Sequence, residues 1–225
     1  MMKEFIIATN NAHKVAEIER ILSPLGFTAV TAKQRGFDLG DVVEDGDTFR
    51  ANAYIKAKHA FDLCHAPVIA DDSGLCVDAL GGRPGVYSAR YGGHDASPLV
   101  KISLLLDELK DVPDEERTAH FSCAVCCILD EDTVIEVEGR CEGVIARELS
   151  GDGGFGYDPV FVVDGRSFAS LSAEEKDKYS HRGNALRMLR DALSRLPLVK
   201  VPPLGECPKD KGGAASGEEA VTEGD

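Results

Sequence analysis

The organising segment of this sequence is Val68-Ile69-Ala70-Asp71-Asp72-Ser73-Gly74-Leu75. Its first three residues are apolar and β-prone, which is typical of a fully buried strand. Two carboxylates follow, and we expect them at the end of that strand, where open α/β sheets bind ligands. Neighbouring strand residues face opposite sides, so one of Asp71 and Asp72 is predicted to face a ligand and the other to be structural. An ordinary turn is the alternative interpretation of Asp-Asp-Ser-Gly.

The composition is that of a globular protein. The chain has 225 residues, of which 43% are hydrophobic and 28% charged. Its net charge of −14 argues against a nucleic acid polymer as partner, because binding to a phosphate backbone depends on basic surface. No apolar run approaches the roughly 18 residues of a membrane span. Residues 4–8 have a strand pattern and no signal-peptide core, so we expect a cytoplasmic protein without a membrane partner.

The cysteines do not suggest a disulfide framework or a zinc site. There are seven, an odd number. Cys123 and Cys126 have C-x-x-C spacing, but they lie in a segment that is predicted to be a strand, where residues three apart face opposite sides. We therefore interpret them as small buried hydrophobic residues.

Strand and helix patterns alternate along the chain, apart from one central hairpin. Strands are predicted at 5–8, 28–31, 68–70, 118–129, 133–141 and 160–163. Helices follow cap-type residues at positions 9–11, 47 or 48, 97 and 172, and residues 180–184 precede or begin the last helix. This order predicts an α/β fold with a mixed central sheet flanked by helices. We expect a single domain over residues 1–196. The acidic tail at 197–225 is rich in Pro, Gly, Lys and Glu, lacks periodicity and is predicted to be disordered.

Two loops have the composition of ligand-binding loops. Residues 9–14, Thr-Asn-Asn-Ala-His-Lys, lead into a helix whose free N–H groups could bind an anion. A lysine in the first turn is unfavourable beside the positive end of the helix dipole, so Lys14 suggests a negatively charged ligand nearby. An ordinary capped helix is the alternative. Residues 151–159 place four glycines around Phe155 and Tyr157, so the backbone can approach a flat ligand and the aromatic rings can stack on a base.

Five separated polar clusters follow strands or begin helices. They are residues 9–14, Glu44, residues 71–73, residues 155–158, and Lys176 with His181 and Arg182. Each has an ordinary structural explanation by itself, and the polar face that carries Lys56 could be a solvated helix surface. Together they predict one pocket with an anion cradle, carboxylates for a hard cation and an aromatic slot. That combination indicates a nucleoside polyphosphate site.

The same segments resemble the inosine triphosphate pyrophosphatase family, the non-standard purine nucleoside triphosphate diphosphatases. The resemblance covers residues 4 to 196 with six motifs in order. They are residues 8–14 (ATNNAHK), 46–53 (GDTFRANA) with Lys56 and Ala57 beyond, 70–75 (ADDSGL), 85–91 (GVYSARY), 155–159 (FGYDP) and 180–182 (SHR). Six motifs in register are far more specific than any one of them.

The resemblance implies hydrolysis of ITP, dITP and XTP to the monophosphate and pyrophosphate with Mg²⁺. It also implies an elongated two-lobed homodimer with the active-site cleft between the lobes. Asp72 would be the proton acceptor and a magnesium ligand, with Glu44 as second ligand. The residues implied to bind substrate are Thr9, Asn10, Asn11, Ala12, His13, Lys14, Lys56 and Lys176 for the triphosphate, Ser73 and Arg90, and Phe155, Gly156, Tyr157, Asp158, His181 and Arg182 for the base.

Some alternatives stay open at this point. Asp45 could replace Glu44 as metal ligand, because the spacing before Gly46 varies in the family. Arg90 is taken as the counterpart of the Lys or Arg that follows the Tyr87 turn in the family. Two other functions are alternatives. A phosphatase with an aspartyl nucleophile would require Asp-x-Asp after the strand. A nucleotide-binding module would bind the nucleotide without hydrolysing it.

Overall fold

The computed structural model describes residues 3–196, so the tail predicted at 197–225 lies outside the described residues. The helices are α1 Ala12–Leu22, α2 Phe49–Cys64, α3 Pro98–Glu108, α4 Ala173–Tyr179 and α5 His181–Arg195. The strands are β1 Lys3–Ile7, β2 Phe27–Thr31, β3 Val68–Val77, β4 Thr118–Asp130, β5 Thr133–Ile145, β6 Phe161–Val163 and β7 Arg166–Ser167. Within residues 3–196, every helix is too short or too polar to span a bilayer.

The seven strands form one mixed sheet in the order β2-β1-β3-β4-β5-β6-β7. β1 pairs in parallel with β2 and β3, and the remaining neighbours are antiparallel. Helices cover both faces: α1 and α5 pack on the face that carries Ile69 and Val125, and α2 packs on the face that carries Val68 and Ala70. The predicted α/β fold with a mixed, helix-flanked sheet is confirmed. The division into two lobes stays a prediction.

The two cysteines with C-x-x-C spacing are buried in β4. Cys123 lies in the core between the sheet and the α1–α5 layer, whereas Cys126 lies in the core on the α2 side. Both side chains are at most 1% exposed. The alternation of the strand therefore separates the two thiols, as the sequence predicts, and they serve as small core residues.

The acid pair lies inside β3, and the predictions of a strand end or a turn there are wrong. β4 pairs with β3 without interruption, from Val68 opposite Ile128 to Val77 opposite Ala119, and this continuous ladder keeps the acidic residues extended. The strand that ends here is β1, whose pairing with β3 stops at Ile69. Asp71 and Asp72 therefore lie just beyond the end of a neighbouring parallel strand, on an edge of β3 that β1 leaves open.

The start of α5 is pressed closely onto β5. A Cβ atom at Gly139 of β5 would collide with the backbone nitrogen of Ala185 and the carbonyl oxygen of His181. Only a glycine permits this approach, which fixes the first turn of α5 over the sheet. That turn begins with His181 and Arg182, and the hydroxyl of Ser180 caps it by accepting a hydrogen bond from Gly183 N.

Candidate active site

One cavity of about 650 Å³ brings the predicted residues together. Every residue predicted to bind substrate or metal lines it, except Ala12. The cavity is also lined by the loop at residues 39–42, Ser88 and Lys101, which were not predicted as site residues. Residues from all five predicted polar clusters thus share one space, as the sequence predicted for a nucleoside polyphosphate site.

Strand alternation divides the two aspartates between the two layers of the fold. Asp71 faces the α1–α5 layer, where its Oδ2 accepts from Lys14 Nζ at 2.9 Å and from Arg182 Nη2 at 3.1 Å. Burial by itself would raise the pKa of Asp71, but the charges of Lys14 and Arg182 outweigh it and hold the pKa well below its usual 3.8. Asp71 is therefore an ionised structural counterion, and the cavity wall includes Asp72 instead.

Asp72 faces the α2 layer and lies in a different electrostatic environment. Its Oδ1 accepts from Lys56 Nζ at 3.1 Å and its Oδ2 from Asn52 Nδ2 at 3.3 Å. Burial, assisted by the charge of Glu44, raises the pKa of Asp72 above its usual 3.8 although Lys56 opposes the shift. A carboxylate with a raised pKa in a cleft is better able to accept a proton from water than an ordinary surface aspartate.

The residues present fit a divalent cation. Lys56 Nζ lies 2.7 Å from Glu44 Oε2 as well as 3.1 Å from Asp72 Oδ1, so two carboxylates already converge on one positive charge at the cavity wall. Mg²⁺ is held by one or two carboxylates together with waters and substrate phosphates, rather than by a protein cage. Accordingly, no cluster of three or more His, Cys, Asp or Glu side chains within residues 3–196 is arranged to enclose a metal. Glu44 lines the cavity, whereas Asp45 is exposed outside it.

The loop before α1 lines the cavity at the positive end of that helix and is held by its own hydrogen bonds. Asn11 caps the helix, and its Oδ1 accepts from His13 N at 3.0 Å and from Lys14 N at 3.3 Å. Thr9 Oγ1 accepts from Asn11 N at 3.2 Å, which holds the loop in a turn. The positive end of the α1 dipole and Lys14 thus point at the same part of the cavity, as an anion-binding loop requires.

The glycine-rich loop lines the cavity around a buried carboxylate. Asp158 is 2% exposed, and its Oδ2 accepts from Lys176 Nζ at 2.7 Å and from Phe155 N at 2.8 Å. Burial raises the pKa of Asp158 above its usual 3.8 despite Lys176. The ammonium of Lys176 also lies 4.6 Å from the centroid of the Phe155 ring. Lys176 thus contacts the residues predicted for the base, although the family resemblance implies a role with the triphosphate.

His181 is a neutral imidazole in the wall of the cavity. It stacks on Phe121 with the ring centroids 4.7 Å apart and the planes at 13°. Burial, together with the charges of Arg182 and Lys176, holds the pKa of His181 well below 6.5. Its Nδ1 is buried and has no hydrogen-bond partner within the described part of the chain. A neutral imidazole can donate from one ring nitrogen and accept at the other.

Glu17 connects the cations of Lys176 and Arg182, although it was not among the predicted site residues. Its Oε1 accepts from Lys176 Nζ at 3.0 Å, and its Oε2 accepts from Arg182 Nη1. Burial opposes ionisation, but Arg182 and Lys176 lower the pKa of Glu17 below 4.5. The available signal was position: Glu17 lies three residues after Lys14 and beside Ile18, which places a carboxylate next to the apolar stripe of α1.

Arg182 donates from all three nitrogens of its guanidinium. Its guanidinium donates to Glu17 and Asp71, and Nη2 also donates to Ser73 Oγ at 3.0 Å. The group nevertheless lines the cavity. Arg182 therefore links the acid pair of β3 to α1 and offers a ligand the hydrogen-bonding capacity that these contacts leave.

The model of the Ham1 family matches residues 5–192. The chain belongs to the Ham1 family. The dITP/XTP pyrophosphatase of Shigella flexneri is 47% identical over 196 residues, which are 85% of this chain and 98% of that protein. This membership confirms the family that the sequence motifs indicate.

Two solved Ham1 structures share the fold. A HAM1 protein from Coxiella burnetii is 38% identical with a TM-score of 0.78, and the match covers 87% of this chain and 100% of that one. The Staphylococcus aureus Ham1 protein is 38% identical with a TM-score of 0.76, over 85% of this chain and 98% of that one. The described sheet and its flanking helices therefore form a Ham1 fold.

Asp71→Asn is expected to destabilise the protein by about 3 kcal/mol at neutral pH, because it leaves Lys14 and Arg182 without their buried counterion. The folded-state pKa of Asp71 lies below the usual 3.8, so its stabilising effect is complete above pH 3.8 and is lost as the pH falls through the folded value. Denaturant unfolding of wild type and variant should therefore differ at pH 7, and the difference should shrink on acidification below about pH 3.8.

Asp62→Asn is the control for that measurement, since Asp62 forms an exposed pair with Lys58 on α2. It should change the free energy of unfolding by less than about 0.5 kcal/mol. Equal stability of the Asp71→Asn and Asp62→Asn variants would contradict the structural role of Asp71.

Proposed function

We propose that this chain hydrolyses the non-standard purine nucleoside triphosphates ITP, dITP and XTP to the monophosphate and pyrophosphate, and so keeps them out of DNA and RNA. The observation that carries the proposal is that one cavity brings together lysines, carboxylates and an aromatic, hydrogen-bonding loop. The similarity in sequence to dITP/XTP pyrophosphatases supports this proposal.

The triphosphate binds at the start of α1. The N–H groups of the loop at residues 9–14 and the ammonium groups of Lys14 and Lys56 supply donors and positive charge. Both lysines are paired with carboxylates, Lys14 with Asp71 and Lys56 with Asp72 and Glu44. These pairs hold the two lysine side chains in place before substrate binds, so less side-chain entropy is lost on binding.

Asp72 acts as the general base. With its raised pKa and its place in the cavity wall, its carboxylate orients a water and accepts its proton as the water attacks the α-phosphorus. Glu44 and Asp72 would hold Mg²⁺, which when bound neutralises the charge that develops on the pyrophosphate leaving group. Asn52, which donates to Asp72 Oδ2, keeps the carboxylate oriented.

The purine edge is recognised at the opposite end. Hypoxanthine and xanthine present O6 as an acceptor and N1–H as a donor, so Asp158 accepts the N1 proton. His181, Arg182 or Lys176 donates to O6, and each of them lines the cavity. Adenine presents the reverse pattern and would leave buried polar groups unpaired, which a polar site rejects strongly. Guanine shares the edge of hypoxanthine, so its 2-amino group must be excluded by the shape of the slot.

The remaining features of the proposal follow from the family resemblance. We propose one catalytic domain over residues 1–196 with two lobes, assembled as a homodimer, acting in the cytoplasm on a small-molecule substrate. The match of the Ham1 model to residues 5–192 supports the domain. The net charge of −14 favours small nucleotides over nucleic acid polymers as partners.

One assay separates this function from its rivals. Incubated with Mg²⁺, the protein should release pyrophosphate and the monophosphate from ITP, dITP and XTP, with kcat/KM for ATP lower by at least about 100-fold. Chromatography of the nucleotides, together with separate pyrophosphate and orthophosphate detection, identifies the products. Orthophosphate alone would indicate a phosphatase with an aspartyl nucleophile, and tight binding of ITP without product would indicate a binding module.

Asp72→Asn should lower kcat for ITP by at least about 10³-fold, because an amide cannot accept the proton of the attacking water. Calorimetric titration with ITP should still give a Kd within a few-fold of wild type. Asp45→Asn is the matched control and should keep turnover, since Asp45 lies outside the cavity. Near-normal turnover of Asp72→Asn would assign the base to another residue.

Asp158→Asn should reduce the preference for ITP over ATP, as a ratio of kcat/KM values, by at least about tenfold. The reason is that an amide can donate to N1 of adenine, which a carboxylate cannot. Asp177→Asn is the control: Asp177 is a comparably buried carboxylate that pairs with Arg20 and lies outside the cavity. If Asp158→Asn kept the wild-type preference, the assignment of Asp158 to the purine edge would be refuted.

A further inference from the structure

The imidazole of His13 lies against the ring of Phe155. The ring centroids are 5.2 Å apart and the planes are nearly parallel, at 13°. His13 belongs to the loop proposed to bind phosphate, whereas Phe155 belongs to the glycine-rich loop proposed to bind the base. The side chain of His13 thus reaches from one end of the cavity toward the other.

Both rings are held by their backbones. His13 N donates to the capping Asn11 Oδ1 at 3.0 Å, at the start of α1. Phe155 N donates to Asp158 Oδ2 at 2.8 Å, and the glycines on either side of Phe155 have φ of +72° and +64°. Two fixed loops from distant parts of the sequence therefore present their aromatic planes in the same orientation.

We propose that His13 and Phe155 together form the aromatic wall on which the oxopurine stacks, so that His13 binds the base and not the triphosphate. This inference rests on the proposed function. Any purine has a flat π-face, and stacking contributes affinity without distinguishing the hydrogen-bonding edge. His13 therefore sets affinity for the base, while Asp158 and its neighbours set the preference among bases.

The orientation of the rings favours this role over a phosphate contact. The two rings are stacked too closely to admit a third ring between them, but His13 is exposed in the cavity wall, so its outer face can accept a flat base parallel to both rings. Lys14 and the N–H groups of α1 already supply donors to the phosphate end of the cavity. The contact with Phe155 places the imidazole of His13 beside a residue that is proposed to bind the base.

The test compares a ligand with a base against one without. The probes are inosine monophosphate, which carries base and one phosphate, and inorganic tripolyphosphate, which has no base. His13→Ala should weaken binding of inosine monophosphate about tenfold, which is about 1.4 kcal/mol, and raise KM for ITP similarly. The inhibition constant of tripolyphosphate should stay unchanged. His13→Phe should restore inosine monophosphate binding to within about twofold of wild type, because the ring is what matters.

The matched control is His94→Ala. His94 is exposed outside the cavity, so its removal should alter neither ligand. Weaker tripolyphosphate with unchanged inosine monophosphate binding in His13→Ala would overturn the inference in favour of a phosphate role. Tighter inosine monophosphate binding would overturn it in favour of a ring that blocks the slot, and wild-type values for both would leave His13 no role. Lack of ITP hydrolysis by the wild type would refute the proposed function itself.

Discussion

The buried ion pairs of Asp71 hold the site together. This carboxylate lies in the middle of the sheet, and its Oδ2 is paired with Lys14 from the start of α1 and with Arg182 from the start of α5. A charge this deeply buried is tolerated only when its partners are close. The fold must therefore bring β3, α1 and α5 together at this point, and the cavity forms where they meet.

The same pairing continues from one end of the cavity to the other. Arg182 also binds Glu17, Glu17 binds Lys176, and Lys176 binds Asp158 beside the glycine-rich loop. Cations and carboxylates alternate along this chain of contacts. Because each group depends on two neighbours, the phosphate end and the base end are held at a fixed separation. Such preorganisation is what orients a long, flexible nucleotide for attack at one phosphorus atom.

The sequence predicted local structure and the membership of the site better than it predicted the site's internal contacts. Helix starts were readable because Thr48, Ser97 and Ser172 cap through their own side chains. The end of β3 was misplaced because its length depends on pairing with β4, a partner distant in sequence. Glu17 could not be predicted for a similar reason: its role depends on Lys176 of α4 and Arg182 of α5, which are distant in sequence.

Positive and negative side chains are nearly balanced around the cavity. The lysines and arginines of the wall number six, and six carboxylates face them when the buried Asp71 and Glu17 behind the wall are included; the others are Asp41, Glu44, Asp72 and Asp158. Nearly every cation at the centre is already paired, so the resting site has little positive charge to offer a triphosphate. Burial raises the pKa of Asp72 and the charge of Glu44 adds to that shift, whereas Lys56 and Lys14 oppose it. If the proposed function holds, a divalent cation would supply the substrate with the positive charge that the paired lysines and arginines do not.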